Sequence, residues 1–260
     1  MVERRSEDWR PPSFKRVTTP IASVAAAARR FLDLQAGSIW NDLVELLPHS
    51  QGTVLDVGCG AQPYRHLLSP QAIYKAIDYS GAESHFGYSM PDTVYFQGDH
   101  WPIPDGSVDV VLCTETLEHV PEPAIFLAEA FRVLKYGGRL LLTVPFSARW
   151  HYIPHDYWRF TPSGLQRLLS AAGFQHVAAF ARGNKLTVAC YKVMALMLPL
   201  LVPQQKGFLK RSLLQVCGIL TLPILVVLGG IGTLSLKGKG GDDCLGYTAV
   251  AYKLSPDPGS

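Results

Sequence analysis

Apolar and polar positions alternate in blocks along most of this 260-residue chain. Short runs with the pattern of buried or half-buried strands fall at 53–57, 73–78, 93–97, 108–113, 139–144 and 176–181. Between several of them, at 64–68, 124–134 and 162–172, the sequence reads as helix. Strands alternating with helices predict a mostly parallel sheet with helices on both faces. Ligands of such sheets sit at the carboxyl ends of the strands, near the point where strand order reverses. Ahead of this block, residues 21–47 read as helical, with Gly37 dividing two helices and Pro48 ending the second. These helices either pack on the sheet or close over a ligand. Residues 1–19 read as a loose arm, charged and proline-bearing, without the apolar core of a secretory signal.

Past residue 185 the pattern changes. Residues 186–202 are apolar apart from Lys192, and 213–236 carry no charge at all. The second run is long enough to cross a bilayer, which takes about 20 apolar residues. Pro199, Pro223 and the glycines at 229, 230 and 232 would weaken straight helices. A basic segment with Lys206, Lys210 and Arg211 separates the two runs, and 246–254 reads as one more strand.

Composition narrows the function classes. An apolar share of 48% and a charged share of 17% describe a globular chain with a real core. A net charge of +3, with the basic residues scattered, gives no footprint for nucleic acid. Five cysteines lie far apart without a C-x-x-C pair, which suits a reducing cytosol better than a disulfide framework or a zinc site.

The candidate chemistry starts at Val54-Leu55-Asp56-Val57-Gly58-Cys59-Gly60, a strand that runs into a turn with two glycines. Lacking Cβ atoms, Gly58 and Gly60 let the backbone turn sharply and approach a ligand closely. A dinucleotide fingerprint needs a third small residue, and Pro63 stands in its place. Asp56, directly before the turn, either anchors the loop or meets a cationic group.

VLDVGCG resembles the first motif of class I S-adenosylmethionine-dependent methyltransferases, of the type 11-like kind. The resemblance covers about residues 53–145 in order: VLDVGCG, AIDYS, Gly98-Asp99-His100, DVVLCTETLEHV and LKYGGRLLLTVPF. It implies S-adenosylmethionine as cofactor, with the methionine part against Asp56, Gly58, Cys59 and Gly60. Asp78, with Tyr79 beside it, would bind the ribose hydroxyls. Asp99 and His100 would border the adenine, and Thr114 would end the fourth strand beside the cofactor. Gly137-Gly138 would supply the tight helix exit. Many members carry a further glycine where this chain has Gln62, which leaves the loop beyond Gly60 open. The implied fold is α/β, a doubly wound Rossmann-like seven-stranded sheet, mostly parallel with an antiparallel last strand.

A second cluster, residues 150–162, follows the fifth strand and should lie beside the transferable methyl group. His155 is a candidate general base, since imidazole titrates near neutrality, and Asp156 would orient its ring. His119, in Glu118-His119-Val120, is either a further catalytic group or a helix-loop hydrogen bonder. His151, Tyr157 and Arg159 are candidate acceptor contacts, Arg159 for an anionic group. The bland alternative is an aromatic lid with Thr161 as helix cap. A metal held by His151, His155 and Asp156 would rest on one short cluster without further ligands, so no metal is expected.

If the last strand returns to the sheet, a single membrane crossing by the insert is excluded. A re-entrant or in-plane hairpin with its basic loop near anionic headgroups fits better; a dimerisation or capping subdomain is the soluble alternative. The expected organisation is an arm and cap helices at 1–50, a methyltransferase core at 51–185, the apolar helical insert at 186–245 and the returning strand with its tail at 246–260. The expected function is methyl transfer to a small-molecule, saccharide or lipid-linked acceptor. The expected setting is cytoplasmic, or peripheral or monotopic at a membrane. The alternative is a non-catalytic member of the fold acting as a binding or partner subunit.

Overall fold

The computed structural model describes residues 7, 9–10, 19–82, 89–204 and 207–255. Lys206 and most of the arm lie outside the described residues. Two helices come first, α1 (Pro20–Leu32) and α2 (Leu34–Leu46). They part at Asp33, not at Gly37. Asp33 is extended and its side chain accepts from the Ala36 N–H, so it caps α2. Gly37 lies inside α2, where its missing side chain lets the helix approach the Arg30 carbonyl; a Cβ there would lie 2.6 Å from that oxygen.

Seven strands follow: β1 (Thr53–Val57), β2 (Ile73–Tyr79), β3 (Thr93–Phe96), β4 (Val108–Thr114), β5 (Leu134–Pro145), β6 (Gln175–Arg182) and β7 (Gly246–Tyr252). They form one sheet in the order β3-β2-β1-β4-β5-β7-β6. All neighbouring pairs are parallel except β5–β7 and β6–β7, because β7 runs backwards between them. The order reverses between β1 and β4, which places their carboxyl ends, Val57 and Thr114, side by side. The expected α/β sheet with an antiparallel last strand is present.

The period-2 alternation of the strands sorts the core into two layers. Leu55, Val57, Val111, Cys113, Leu140 and Leu142 face α3 (Pro123–Val133) and α4 (Pro162–Ala171). Val54, Val110, Leu112 and Leu141 face Ile39, Leu43 and Leu47 from the α2 segment. The segment expected as a helix at 64–68 is a single 3-10 turn, Arg65–Leu67. Gly137-Gly138 is not the helix exit: α3 ends at Val133, and the backbone extends at once through Leu134. Gly137 instead donates to the Lys253 carbonyl at 2.7 Å.

The insert is a hairpin of two helices, α5 (Lys185–Leu201) and α6 (Phe208–Leu236). Asn184 and Thr187 form a capping box that starts α5. The two helices run antiparallel, with Thr187 against Ser235 at one end and Leu200 against Gly218 further out. α6 stays helical over 29 residues, through Pro223 and its glycines. All of those glycines except Gly230 are contact points: a Cβ on Gly218, Gly229 or Gly232 would lie 2.3–2.7 Å from Leu200, Phe31 or Leu34. Leu34, Val188, Met194 and Leu225 make the small core that ties the hairpin to α2.

Candidate active site

The site lies where β1, β2 and β4 end. After Val57 the backbone enters the left-handed region at Gly58 (φ 68°), Gly60 (φ 54°) and Gln62 (φ 55°). The N–H groups of Gly58 and Cys59 donate to the Ile77 carbonyl, and that of Gly60 donates to Asp78 Oδ2 at 3.0 Å. The turn is therefore stitched to the end of β2. A Cβ on Gly58 would stand 2.3 Å from Thr116 Cγ2, because Thr116 lies over the turn and its hydroxyl faces the carbonyls of Thr114 and Gly58. Gln62 is fully buried. Its amide donates to Asp92 and Thr93, and its oxygen accepts from Arg65, so it closes the loop against the start of β3.

Asp78 accepts from the Tyr79 N–H at 2.8 Å on Oδ1 as well as from Gly60 on Oδ2. Asp56 lies buried below the turn. Tyr74 donates to its Oδ2 at 2.7 Å, while Oδ1 has no hydrogen-bond partner among the described residues. Burial raises the Asp56 carboxyl to about 7 despite Tyr74, and the charge of Asp78 pushes the same way. Burial also raises the Cys59 thiol, which sits 3.4 Å from the Thr93 hydroxyl. The Tyr79 ring is half exposed and packs edge-on against Phe96. Asp99 is exposed, and His100 turns to Glu129 at 3.2 Å. Glu129 also accepts from the Trp101 N–H, pinning the turn that follows Asp99.

Beyond Thr114 the chain makes a second left-handed step at Glu115 (φ 48°). Glu115 accepts from Arg182, a guanidinium 3% exposed at the end of β6. Arg182 also donates to the Val144 carbonyl and lies 3.4 Å from Ser38, joining β4, β5, β6 and α2. The sequence reading missed both residues. Their one signal was position, since both are charged groups at the carboxyl ends of strands.

Glu118 and His119 follow in a short 3-10 turn, Leu117–His119. Glu118 is fully buried, and neither carboxylate oxygen has a hydrogen-bond partner among the described residues. Burial, helped by the charge of Glu115, raises its carboxyl well above the usual range. His119 Nδ1 lies 2.6 Å from the His155 carbonyl, and its ring stands 5.0 Å from that of His151. Burial and His151 lower its pKa to about 4.

The loop pairs its groups differently from expectation. Asp156 does not orient His155; it takes a two-pronged ion pair from Arg159 and faces His151 Nδ1 at 3.0 Å. Burial alone would raise the Asp156 carboxyl, but Arg159 and His151 outweigh it and hold it below the usual range. Arg159 spends its donors on Asp156 and on the carbonyls of Trp158 and Arg149. His155 is exposed, with Nδ1 3.1 Å from the hydroxyl of Tyr157. The arm reaches this loop, where Glu7 accepts from the Tyr152 N–H at 2.8 Å.

Comparison with known proteins fits this geometry. Residues 55–142 match the family model described as a methyltransferase domain. Over 137 residues, 46% of this chain and 39% of the relative, the chain is 30% identical to the 2-methyl-6-phytyl-1,4-hydroquinone methyltransferase of Synechocystis. Over 155 residues, 46% of this chain and 58% of the relative, it is 32% identical to a ubiquinone biosynthesis O-methyltransferase of Psychrobacter arcticus. The matches thus span about half the length of these curated relatives. Among solved structures, an S-adenosylmethionine-dependent methyltransferase of Archaeoglobus fulgidus shares the fold. Its TM-score is 0.50 at 17% identity, covering 89% of this chain and 94% of that one. The match over residues 55–142, with relatives named as S-adenosylmethionine-dependent methyltransferases, supports a class I methyltransferase domain. S-adenosylmethionine is the cofactor of that domain class, and the half-satisfied Asp56 suits a ligand with an ammonium, as the two carboxylate oxygens of Asp78 at the end of β2 suit a ribose diol.

Proposed function

We propose that this chain transfers a methyl group from S-adenosylmethionine to a small acceptor, and that it does so at a membrane surface. The observation that carries the reading is the convergence of the glycine turn and Asp78 at the switch point between β1 and β4. Bound there, S-adenosylmethionine supplies a methyl on a good leaving group, so alignment and exclusion of water provide much of the rate. In this reading Gly58, Cys59 and Gly60 bind the methionine part, with Asp56 facing its ammonium. Asp78 and Tyr79 hold the ribose, Asp99 and His100 border the adenine, and Thr114 with Thr116 leads from the cofactor to the acceptor. His119, His151, Tyr157 and His155 line the acceptor side. Arg159 and Asp156 hold the loop in shape. His155 acts as a weakly oriented base, since Asp156 is engaged elsewhere.

Quinone-type relatives support a small, apolar acceptor, for which 51–185 is the catalytic unit and 186–245 the membrane-facing one. The α6 surface supports the membrane part. Leu209, Leu213, Val216, Leu220, Val227 and Leu234 recur at helical spacing and are 55–82% exposed. Such a stripe runs about 40 Å along a 29-residue helix. Lys210 and Arg211 lie at its outer end, where anionic headgroups would favour them.

Calorimetric titration with S-adenosylmethionine tests the cofactor reading. Binding by the intact protein, weakened about 10- to 100-fold in Asp78→Ala, is expected, since charge-assisted hydrogen bonds contribute about 1.5–3 kcal/mol. No binding, with Asp78→Ala indistinguishable, would overturn it. Flotation with anionic liposomes tests the surface: protein remaining at the bottom of the gradient would refute membrane contact. Cofactor binding without methyl transfer to any acceptor would favour the partner-subunit alternative.

A further inference from the structure

We infer that Glu118, His119 and His151 form a binding site for one divalent transition metal ion of the zinc class. The fold, and not the spacing in sequence, assembles it: Glu118 and His119 leave β4, while His151 comes from the loop after β5, 32 residues on. One ligand atom from each residue lies within 4.8 Å of the others. One point is then within about 2.8 Å of all three, so small side-chain shifts reach the 2.0–2.2 Å of zinc–nitrogen and zinc–oxygen bonds.

Two independent observations point to a cation there. The first is the state of the imidazoles. His119 Nδ1 faces the His155 carbonyl at 2.6 Å, and a carbonyl only accepts, so the proton sits on Nδ1 and Nε2 keeps its lone pair. His151 Nδ1 likewise faces the Arg149 carbonyl at 2.9 Å and the Asp156 carboxylate at 3.0 Å. Metal-bound histidines show this outer pattern, the second nitrogen held by a carbonyl or carboxylate that fixes ring and tautomer. The second observation is Glu118. It is fully buried with both oxygens unpartnered, and His119 Nε2, at 3.6 Å, is too far for a hydrogen bond. Buried carboxylates are paired or coordinate metals. Arg182 is committed to Glu115 and Arg159 to Asp156; neither pairs with Glu118 directly, and the charge of Arg159 offsets it only in part, since burial still raises its carboxyl.

Two imidazoles and one carboxylate favour zinc-class ions over magnesium or calcium, which prefer all-oxygen sets. Three protein ligands leave a coordination position for water or an acceptor oxygen, the arrangement of catalytic rather than structural sites. That the open position serves the acceptor rests on the methyl-transfer reading; binding of the ion does not. Thr116, which lies over the glycine turn, stands two residues before Glu118, so the site adjoins the cofactor end.

The test uses the whole chain after chelator treatment. Calorimetry with Zn²⁺ and visible absorption with Co²⁺ should both report one equivalent bound, with the ligand-field bands of a low-coordinate cobalt site. His151→Gln and Glu118→Gln should each abolish the bands and weaken uptake at least 100-fold, and Asp156→Asn should weaken it about tenfold. Glu118→Gln also separates folding from binding: metal-free, it should melt higher than the parent, and Zn²⁺ should raise only the parent's Tm. No stoichiometric uptake by the parent, or uptake unchanged in both ligand variants, would overturn the site. Titration of the same samples with S-adenosylmethionine keeps the two readings apart, since cofactor binding can fail while metal uptake stands.

Discussion

The cofactor end and the acceptor end of this sheet edge are built in opposite ways. At the cofactor end, backbone amides of one turn reach the end of the adjacent strand, and the side chain that matters, Asp78, lies 18 residues from the Gly60 it holds. At the other end, which the proposal gives to the acceptor, charged side chains from the segment after β4, from β6, the 149–159 loop and the arm are wholly or partly buried and pair with one another. Backbone hydrogen bonds shape the first end, whereas at the second Glu118 lies buried with neither carboxylate oxygen hydrogen-bonded among the described residues. The first is a preformed cradle. The second is an electrostatic arrangement whose parts stabilise or destabilise one another.

Substitutions at each end should separate these two kinds of construction. The largest effect is expected from Gly58→Val, which forces a β-branched residue to a φ of 68° with its Cβ 2.3 Å from Thr116. Calorimetry should show no cofactor binding, and urea unfolding a loss of about 3 kcal/mol or more. Arg182→Met should come next, at about 3 kcal/mol, because it strands Glu115 at a partly buried position. Its cofactor affinity should stay within about threefold of the parent; a large loss would mean that the two ends are coupled.

Asp56→Asn probes the cradle through pH. The folded-state pKa of Asp56 is raised from 3.8 to about 7, so the folded form holds the proton more tightly than the unfolded chain. Its contribution to stability is full below about pH 4 and is lost as pH rises to about 7. The parent should therefore lose stability across that window relative to Asp56→Asn, by at most a few kcal/mol. Parallel pH profiles for the two proteins would refute this. The smallest effect belongs to His155→Ala, whose exposed ring faces the Tyr157 hydroxyl at Nδ1 and not the Asp156 carboxylate. The expected loss in kcat is about tenfold, less than the roughly 100-fold of a well-oriented base, with Tm unchanged.

Much of the cradle was legible in the chain. Gly58, Gly60 and Asp78 belong to one strand–turn–strand unit, where local sequence and local structure coincide. Even there, Gln62 took a left-handed backbone with a buried side chain, which no motif announces. The break between α1 and α2 was misplaced because a cap outweighs a glycine. Asp33 offers a hydrogen bond that ends one helix and starts the next, while Gly37 serves close packing inside α2. The glycines of α6 other than Gly230 mislead in the same manner, being contact points of an unbroken helix. On the loop, proximity in sequence suggested Asp156 for His155, but Arg159 and His151 compete for that carboxylate and take it.

Periodicity, the glycine turn and the acid at the end of the second strand determined the fold class, the turn tied to Asp78 and the apolar insert, since these depend on residues close together along the chain or repeating at a fixed period. Tertiary structure alone decided which charges meet at the acceptor end. Groups such as Glu115 and Arg182, or Glu118 and His151, come near one another only when separate strands end at one edge. Which pair forms there depends on burial and on the other charges within reach, and neither is written in the spacing.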